Sequence, residues 1–234
     1  MKNTPYLYIK ISLERSEKMK NKKVELERRS YSFEIRAEET DGEKVITGRP
    51  IVYESKTDLG YFDEIIARGA LDGADLKDVR FLVNHDTSKI PLARSRRNNG
   101  NNGNSTMQLI PDYEGLAIKV RLDVENNSEA RSLYSAIERG DITGMSFMFS
   151  IDSATWSDIE SEHPTRTIEK IGTVVEVSAV TFPAYEATEI NARSLETLEN
   201  ARAAVDTARA QTVETVSNTL ELEKAKYNYF TKWR

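Results

Sequence analysis

The chain has 234 residues, of which 38% are hydrophobic and 30% charged, and its net charge is −5. It contains no cysteine and two histidines, which excludes disulfides and thiol nucleophiles and disfavours a multi-histidine zinc site. The acidic balance disfavours nucleic acid as a partner, because phosphate binding requires a basic face. No apolar run approaches the roughly 20 residues that cross a bilayer, and no secretion signal is recognisable. We therefore expect a cytoplasmic protein without a membrane partner.

The N-terminal third of the chain changes from a charged leader to strands. Residues 1–29 are rich in Lys and Glu with little periodicity, which predicts a poorly ordered leader. "YSFEIRAE" and "KVITGRPIVYES" then alternate apolar and polar residues, which predicts strands, with Gly48 and Pro50 marking a kink or bulge. "FDEIIARGALDGADL" predicts a short helix or a turn-rich loop, and "DVRFLVNHD" predicts a strand that ends at His85.

The middle of the chain combines a hairpin, one helix and further strands. "STMQLIP" and "GLAIKVRLD" flank "DYEG" and predict a hairpin, after a low-complexity loop at 98–105. "NNSEARSLYSAIERGD" predicts an amphipathic helix that Asn127 or Ser128 caps. We then expect a strand over 142–151, a polar loop over 152–164 and the strands "TRTIEKI" and "TVVEVSAVTF".

The last part of the chain has a different composition. Residues 193–226 are rich in Ala, Glu, Thr and Arg and lack Gly and Pro, which predicts a long helix with a thin apolar stripe, suited to a partner or a mobile tail. The sequence thus predicts a leader at 1–29, a body at 30–192 and a helical tail at 193–234. The body is mainly β with flanking helices (α+β), and a closed or nearly closed antiparallel barrel fits better than a wound sheet because helices do not alternate with strands.

The stretch "DITGMSFMFSID" places a serine inside an apolar strand. Because successive strand residues point to opposite faces, Ser146 shares a face with Met148 and lies opposite the anchors Met145, Phe147 and Phe149. A lone strand serine is most often an ordinary polar residue, and a nucleophile is the alternative interpretation. The pattern is not the hydrolase elbow, since Met148 stands where that motif has Gly.

Two other residues could complete a serine mechanism. His85 ends a strand, and its neighbour Asp86 points to the other face, so Asp86 is a poor partner for the ring. Glu176 lies in the apolar run "VVEVSAV" on the same face as Ser178, either as a surface charge or as the carboxylate that orients a histidine. His163 lies in a polar loop, and we expect it to be exposed and not catalytic. Spacing alone does not choose between these alternatives.

Four blocks of the sequence, in order, resemble the prohead serine proteases of tailed bacteriophages. These blocks are "FDEIIARGAL", "VRFLVNHDTSKIPLAR", "EARSLYSAIERGDITGMSFMF" and "TVVEVSAVTFPAYEATEI", and the resemblance covers about residues 30–192. It implies a serine endopeptidase similar to herpesvirus assemblin, with a β-barrel wrapped by helices.

The resemblance also implies roles for individual residues. His85 becomes the general base, Ser146 the nucleophile and Glu176 the acid that orients His85, although the herpesvirus enzymes use a second histidine in that last role. The family usually has Gly where Met148 stands, and a side chain there narrows the space beside the nucleophile. The family's usual Gly-Arg after the histidine block reads Ala93-Arg94 here.

The implied reaction is acyl transfer without a metal or cofactor, with residues 183–185 as candidate oxyanion donors. The implied substrates are the scaffold portion of the major capsid protein and the protease itself, inside the procapsid in the host cytoplasm, and a homo-oligomer is possible. The tail helix would bind the scaffold for packaging. Two alternatives stay open: a catalytically impaired or non-enzymatic head-assembly protein with the same fold, and an unrelated β-barrel binding module.

Overall fold

The computed structural model describes residues 25–31, 35–96, 105–182, 194–211, 219–221 and 224. The described chain is mainly β. Its strands are β1 (Glu27–Tyr31), β2 (Ile35–Thr40), β3 (Glu43–Val52), β4 (Lys56–Asp58), β5 (Asp63–Ile66), β6 (Arg80–Val83), β7 (Ala93–Arg94), β8 (Met107–Pro111), β9 (Gly115–Arg121), β10 (Gly144–Ser157) and β11 (Thr165–Val180), and the helix α1 is Ser128–Glu138. A second helical segment covers 194–211.

The strands of the described part form two sheets. The larger has the order β1-β10-β11-β5-β4, with β6 paired to β11 and to β7, and the smaller has the order β2-β3-β9-β8. Most neighbours are antiparallel, but β5 and β6 both run parallel to β11, each along a different stretch of it. The mainly β prediction is confirmed, but a closed barrel is not, because neither sheet formed by the described residues closes on itself. Alternation in a sequence indicates which face is buried, not how the edges are joined.

The main hydrophobic core draws on both sheets and α1. The smaller sheet contributes Ile46 and Leu116, the larger contributes Phe81 and Phe147, and all four are fully buried. The helix α1 buries four apolar residues, namely Ala130, Leu133, Tyr134 and Ile137. Asn127 begins this helix, since its side chain accepts hydrogen bonds from the backbone of the first turn, which confirms one of the two predicted caps.

Several element boundaries differ from those predicted. β1 begins at Glu27, inside the predicted leader, and β10 extends to Ser157, inside the predicted polar loop. The two predicted strands after that loop are one continuous strand, β11. The segment predicted as a helix or a turn-rich loop holds the strand β5 and turns. The expected irregularity in β3 is confirmed, since its register with β9 shifts between Gly48 and Ile51.

The helical segment 194–211 packs on the body of the protein. Its residues Leu198 and Val205 are 2% and 4% exposed. They form a second apolar cluster with Leu59, Phe62, Trp156 and Ile159. The first part of the predicted tail therefore uses its apolar stripe within the chain. Most of the predicted helix beyond residue 211 lies outside the described residues. No helix in the described ranges is long and apolar enough to cross a membrane.

The predicted hairpin is confirmed as β8 and β9, and Asp112 organises its turn. The Asp112 carboxylate accepts two hydrogen bonds from Arg49, at 2.6 and 2.7 Å, and others from the backbone N–H groups of Glu114 and Gly115. The hydrogen bonds from Arg49 are the main reason that the pKa of Asp112 falls from 3.8 to about 2.

We expect Asp112→Asn to lower the free energy of unfolding at neutral pH by about 1–2 kcal/mol, because it removes the charge from these hydrogen bonds. A depressed carboxyl pKa stabilises the fold above about pH 4, and this stabilisation is lost as the pH falls toward 2. Urea unfolding from pH 7 down to pH 3 should therefore show the difference between the variant and the unmodified chain shrinking. Asp141→Asn, at an exposed ion pair, is the control. A difference that stays constant with pH would contradict the assignment.

Candidate active site

His85 lies in a strained turn that directly follows β6. Asn84 and His85 have φ values of 50° and 56°, a left-handed conformation that costs non-glycine residues roughly 1–2 kcal/mol each. Asn84 fixes this turn to the end of β11, since its backbone N–H donates to Ala179 O at 2.9 Å and its side chain hydrogen-bonds with Thr181. The turn therefore holds the imidazole against β11.

The His85 ring is part of a closed hydrogen-bond ring with two side chains of β11. Its Nδ1 hydrogen-bonds with Glu176 Oε1. Ser178 Oγ donates to Glu176 Oε2 at 2.7 Å and accepts the His85 backbone N–H at 3.1 Å. The side chains of His85 and Glu176 are each 2% exposed. A buried carboxylate on Nδ1 favours the tautomer whose other nitrogen, Nε2, can accept a proton, and it stabilises the imidazolium.

Ser146 lies on the same face of the larger sheet. It is paired with Ser178 across β10 and β11, and Met148 is paired with Glu176. Directly opposed residues in an antiparallel pair point to the same face, with Cβ atoms about 4.5–5.5 Å apart. The structure thus brings the three predicted site residues to one face, with Ser178 between Ser146 and His85.

The Ser146 hydroxyl is bound to β1. Its Oγ donates to the Arg29 backbone oxygen at 2.9 Å and accepts from Ser30 Oγ at 2.8 Å. Among the described residues it makes no hydrogen bond with His85. Ser146 is fully buried. In this arrangement the hydroxyl is closed to a peptide from solution.

A group of buried charges attaches β1 to the rest of the sheet. Arg29 Nη2 donates to Glu64 Oε2 at 2.8 Å, and its Nε contacts the other carboxylate oxygen. Glu27, also on β1, accepts from Arg166 at 2.6 Å. Burial raises the pKa of Glu27, but Arg29 and Arg166 outweigh burial and lower it from 4.5 to about 2. The Glu27 carboxylate is therefore charged at neutral pH.

The other residues considered from sequence lie around or away from this site. Met148 is half-buried on the Ser146 face, where a glycine would leave more room. Asp86 accepts hydrogen bonds from Ser88 within its own turn. Its predicted orientation assumed a strand that continues to His85, whereas β6 ends at Val83. His163 is exposed, as predicted, and its Nε2 lies 3.1 Å from Asp63 and 3.6 Å from Asp58. Residues 183–185, the candidate oxyanion donors, lie outside the described residues.

Sequence reasoning missed two contributors to the site. The strand period predicts Ser178 on the Glu176 face, but its hydrogen bonds to Glu176 and to the His85 backbone depend on the turn at Asn84. The strand β1 was missed because "ERRSY" carries three charges in five residues, and charged residues are usual in a leader. Its ion pairs with β5 and β11 explain why this charged segment is nevertheless a strand.

Comparison with known proteins identifies the family to which the chain belongs. No curated protein matches the chain. The solved structure of the bacteriophage T4 capsid assembly protease, gp21, is similar at 13% identity and a TM-score of 0.38, covering 68% of this chain and 98% of that one. The family model described as caudovirus prohead serine protease matches residues 31–202, well over half of the chain. The chain therefore belongs to the caudovirus prohead serine protease family.

Proposed function

We propose that the protein is the maturation endopeptidase of a phage prohead, with Ser146 as nucleophile, His85 as general base and Glu176 as the acid that orients His85. The observation that carries this proposal is the buried carboxylate–imidazole pair on the same sheet face as a buried strand serine. Family membership supports the reaction class. A serine that only packs in a strand does not need a carboxylate–imidazole pair beside it, whereas acyl transfer by a serine requires a base of this kind.

The reaction follows from these roles. His85 takes the proton of Ser146 as its Oγ attacks a peptide carbonyl, and an acyl-enzyme forms when the imidazolium protonates the leaving amine. Water then hydrolyses the ester with His85 again as base. Glu176 holds the imidazole in position throughout. The bonds from Ser146 to Arg29 and Ser30 must break before the first step, so the described arrangement is a resting one.

The substrates we propose are the scaffold portion of the major capsid protein and the protease itself, cut inside the procapsid within the host cytoplasm. Family membership supports an action during head assembly. We keep the division into a protease body at 30–192 and a tail at 193–234 as a proposal, although the family match continues to residue 202 and segment 194–211 packs on the body.

A second candidate function is a head-assembly protein with little or no peptidase activity. Two observations favour it: the side chain of Met148 lies beside the site, and the Ser146 hydroxyl is hydrogen-bonded to β1. If the site can hydrolyse peptides but is crowded by this side chain, Met148→Gly should react with a fluorophosphonate probe faster than the unmodified chain does. If the site is inert, the probe should react with neither protein.

A fluorophosphonate probe tests the proposed function directly. We expect it to label the full-length chain on the peptide that contains Ser146, and the labelling to disappear in Ser146→Ala, because only an activated serine attacks phosphorus at a useful rate. Ser150→Ala, which removes another buried serine of β10, is the matched control and should still be labelled. Mass spectrometry of the labelled peptides gives the site. Labelling that persists in Ser146→Ala would show that another residue reacts.

A further inference from the structure

The strand β1 is bound to the larger sheet in the way that an extended peptide binds to a sheet edge. It pairs antiparallel with β10 over five residues, from Glu27 opposite Phe149 to Tyr31 opposite Met145. The other side of β10 is occupied by β11, so in the described sheet β1 is the terminal strand. Adding a strand to an edge is a general mode of peptide recognition. The family match starts at residue 31, so nearly all of β1 precedes it.

The backbone of β1 places a carbonyl group at the proposed nucleophile. The Arg29 oxygen accepts the Ser146 hydroxyl at 2.9 Å. Ser146 would attack a carbonyl carbon, so this oxygen-to-oxygen contact places the Arg29 carbonyl group beside the nucleophile in a resting arrangement, before the approach that attack requires. The peptide bond between Arg29 and Ser30 therefore lies next to Ser146, as a bond to be cut must.

The side chains of β1 on the opposite face meet buried charges. The Arg29 guanidinium donates to both oxygens of Glu64, which is 1% exposed, and lies 5.7 Å from the ring centroid of Phe149. Two residues earlier in the chain, the Glu27 carboxylate accepts from Arg166. Arg166 also lies 3.6 Å from Glu64, so the two body residues partly neutralise each other. A strand that binds beside β10 must therefore carry a cation opposite Glu64 and an anion opposite Arg166, because either buried charge would otherwise lose its partner.

We propose that the outer edge of β10 binds the peptide to be cut and that β1 of the same chain fills this site as a substrate-like strand. Glu64 and Arg166 then select a peptide in which an arginine is preceded two residues earlier by an acidic residue. The inference rests on the proposed function. Arginine is preferred to lysine because Glu64 binds the guanidinium through both oxygens. The bond after the arginine is hydrolysed, with one water giving the arginine carboxylate and the amine of the next residue.

The first experiment measures whether β1 covers Ser146. We expect full-length Arg29→Ala to react with a fluorophosphonate at least about tenfold faster than the unmodified chain, since loss of the buried ion pair weakens the attachment of β1. Arg28→Ala, on the same strand but with its side chain on the other face, is the matched control and should react at the unmodified rate. Equal rates for all three chains would overturn the covering role of β1.

The second experiment measures the selection of charge. Synthetic peptides with the sequence of residues 24–33 carry Arg, Lys, Gln or Glu at the position of Arg29 and are added to full-length Arg29→Ala. We expect kcat/KM to fall in that order, with Arg over Glu by at least about a hundredfold, because a second carboxylate beside Glu64 is repelled. Cleavage should follow the varied residue. Equal cleavage of the four peptides, or cleavage elsewhere, would overturn the inference.

A substitution of Glu64 tests the preference for arginine independently. Combining Arg29→Ala with Glu64→Gln should reduce the preference for Arg over Gln to within about threefold, whereas combining it with Asp58→Asn, at an exposed carboxylate, should leave the preference intact. If the Glu64 variant does not fold, the peptide series on Arg29→Ala still decides. If the fluorophosphonate labels Ser146 but the peptides show no selection by charge, this inference alone is refuted. If the probe labels Ser146 in none of the proteins, the proposed function is refuted and this inference with it.

Discussion

Glu176→Gln is expected to slow peptide hydrolysis by about 10³–10⁴-fold. Glutamine keeps the size of the side chain but not the charge that stabilises the His85 imidazolium, and its amide can hold the ring in the wrong tautomer. The site is buried, so water cannot replace the lost charge. Because the proposed mechanism uses the pair in proton transfer and not in peptide binding, the loss should appear in kcat with KM almost unchanged.

The matched control for this variant is Glu169→Gln, on the same strand β11 but half-buried and away from His85. We expect its kcat to stay within about twofold of the unmodified chain, as for most substitutions outside special sites. Steady-state kinetics on the arginine peptide would compare the three proteins, with Arg29→Ala as the common background. A kcat for Glu176→Gln within about threefold of that background would show that Glu176 does not orient the base.

The faces of the central strands could be predicted from sequence because a strand alternates with a period of two. That period put Ser146 opposite its aromatic anchors and put Glu176 with Ser178, and the structure has both arrangements. The same period cannot say which strands are neighbours. The parallel pairing of β6 with β11, which brings His85 to Glu176, joins residues 91 positions apart. That pairing depends on the packing of the whole body.

The role of β1 could not be predicted for a different reason. Its residues are charged, and charged residues normally remain in solvent. Here Arg29 and Glu27 are compensated by Glu64 and Arg166, which are distant in sequence. Burial of such residues becomes favourable only when their partners are already in place. A single sequence does not reveal those partners.

For the tail, the sequence predicted the apolar residues of the helix but not the surface against which they pack. The spacing of Leu198 and Val205 correctly predicted an apolar stripe on a helix, and the structure places both residues in a helical segment. The sequence could not show that Phe62 and Trp156 would cover the stripe. A stripe of this kind indicates that a surface is buried, not which surface buries it.

Phe147→Ala is expected to lower the free energy of unfolding by about 3–5 kcal/mol. Phe147 is fully buried on the core face of β10, and its ring centroid lies 4.8 Å from that of Phe149. Truncation removes the apolar contacts of the ring and leaves a cavity that neighbouring side chains fill only in part. Since Phe147 lies between Ser146 and Met148, it also fixes the strand that carries the proposed nucleophile, so the loss links the stability of the core to the geometry of the candidate site.

Urea unfolding followed by tryptophan fluorescence would measure this loss, with Ile90→Ala as the control. Ile90 is 83% exposed, so its truncation should change the free energy of unfolding by less than about 0.5 kcal/mol. Under conditions where the Phe147 variant is still folded, we expect slower labelling of Ser146 in the Arg29→Ala background, because a loosened strand holds its hydroxyl less firmly. A loss of stability below about 1.5 kcal/mol with unchanged labelling would mean that other anchors hold the nucleophile strand.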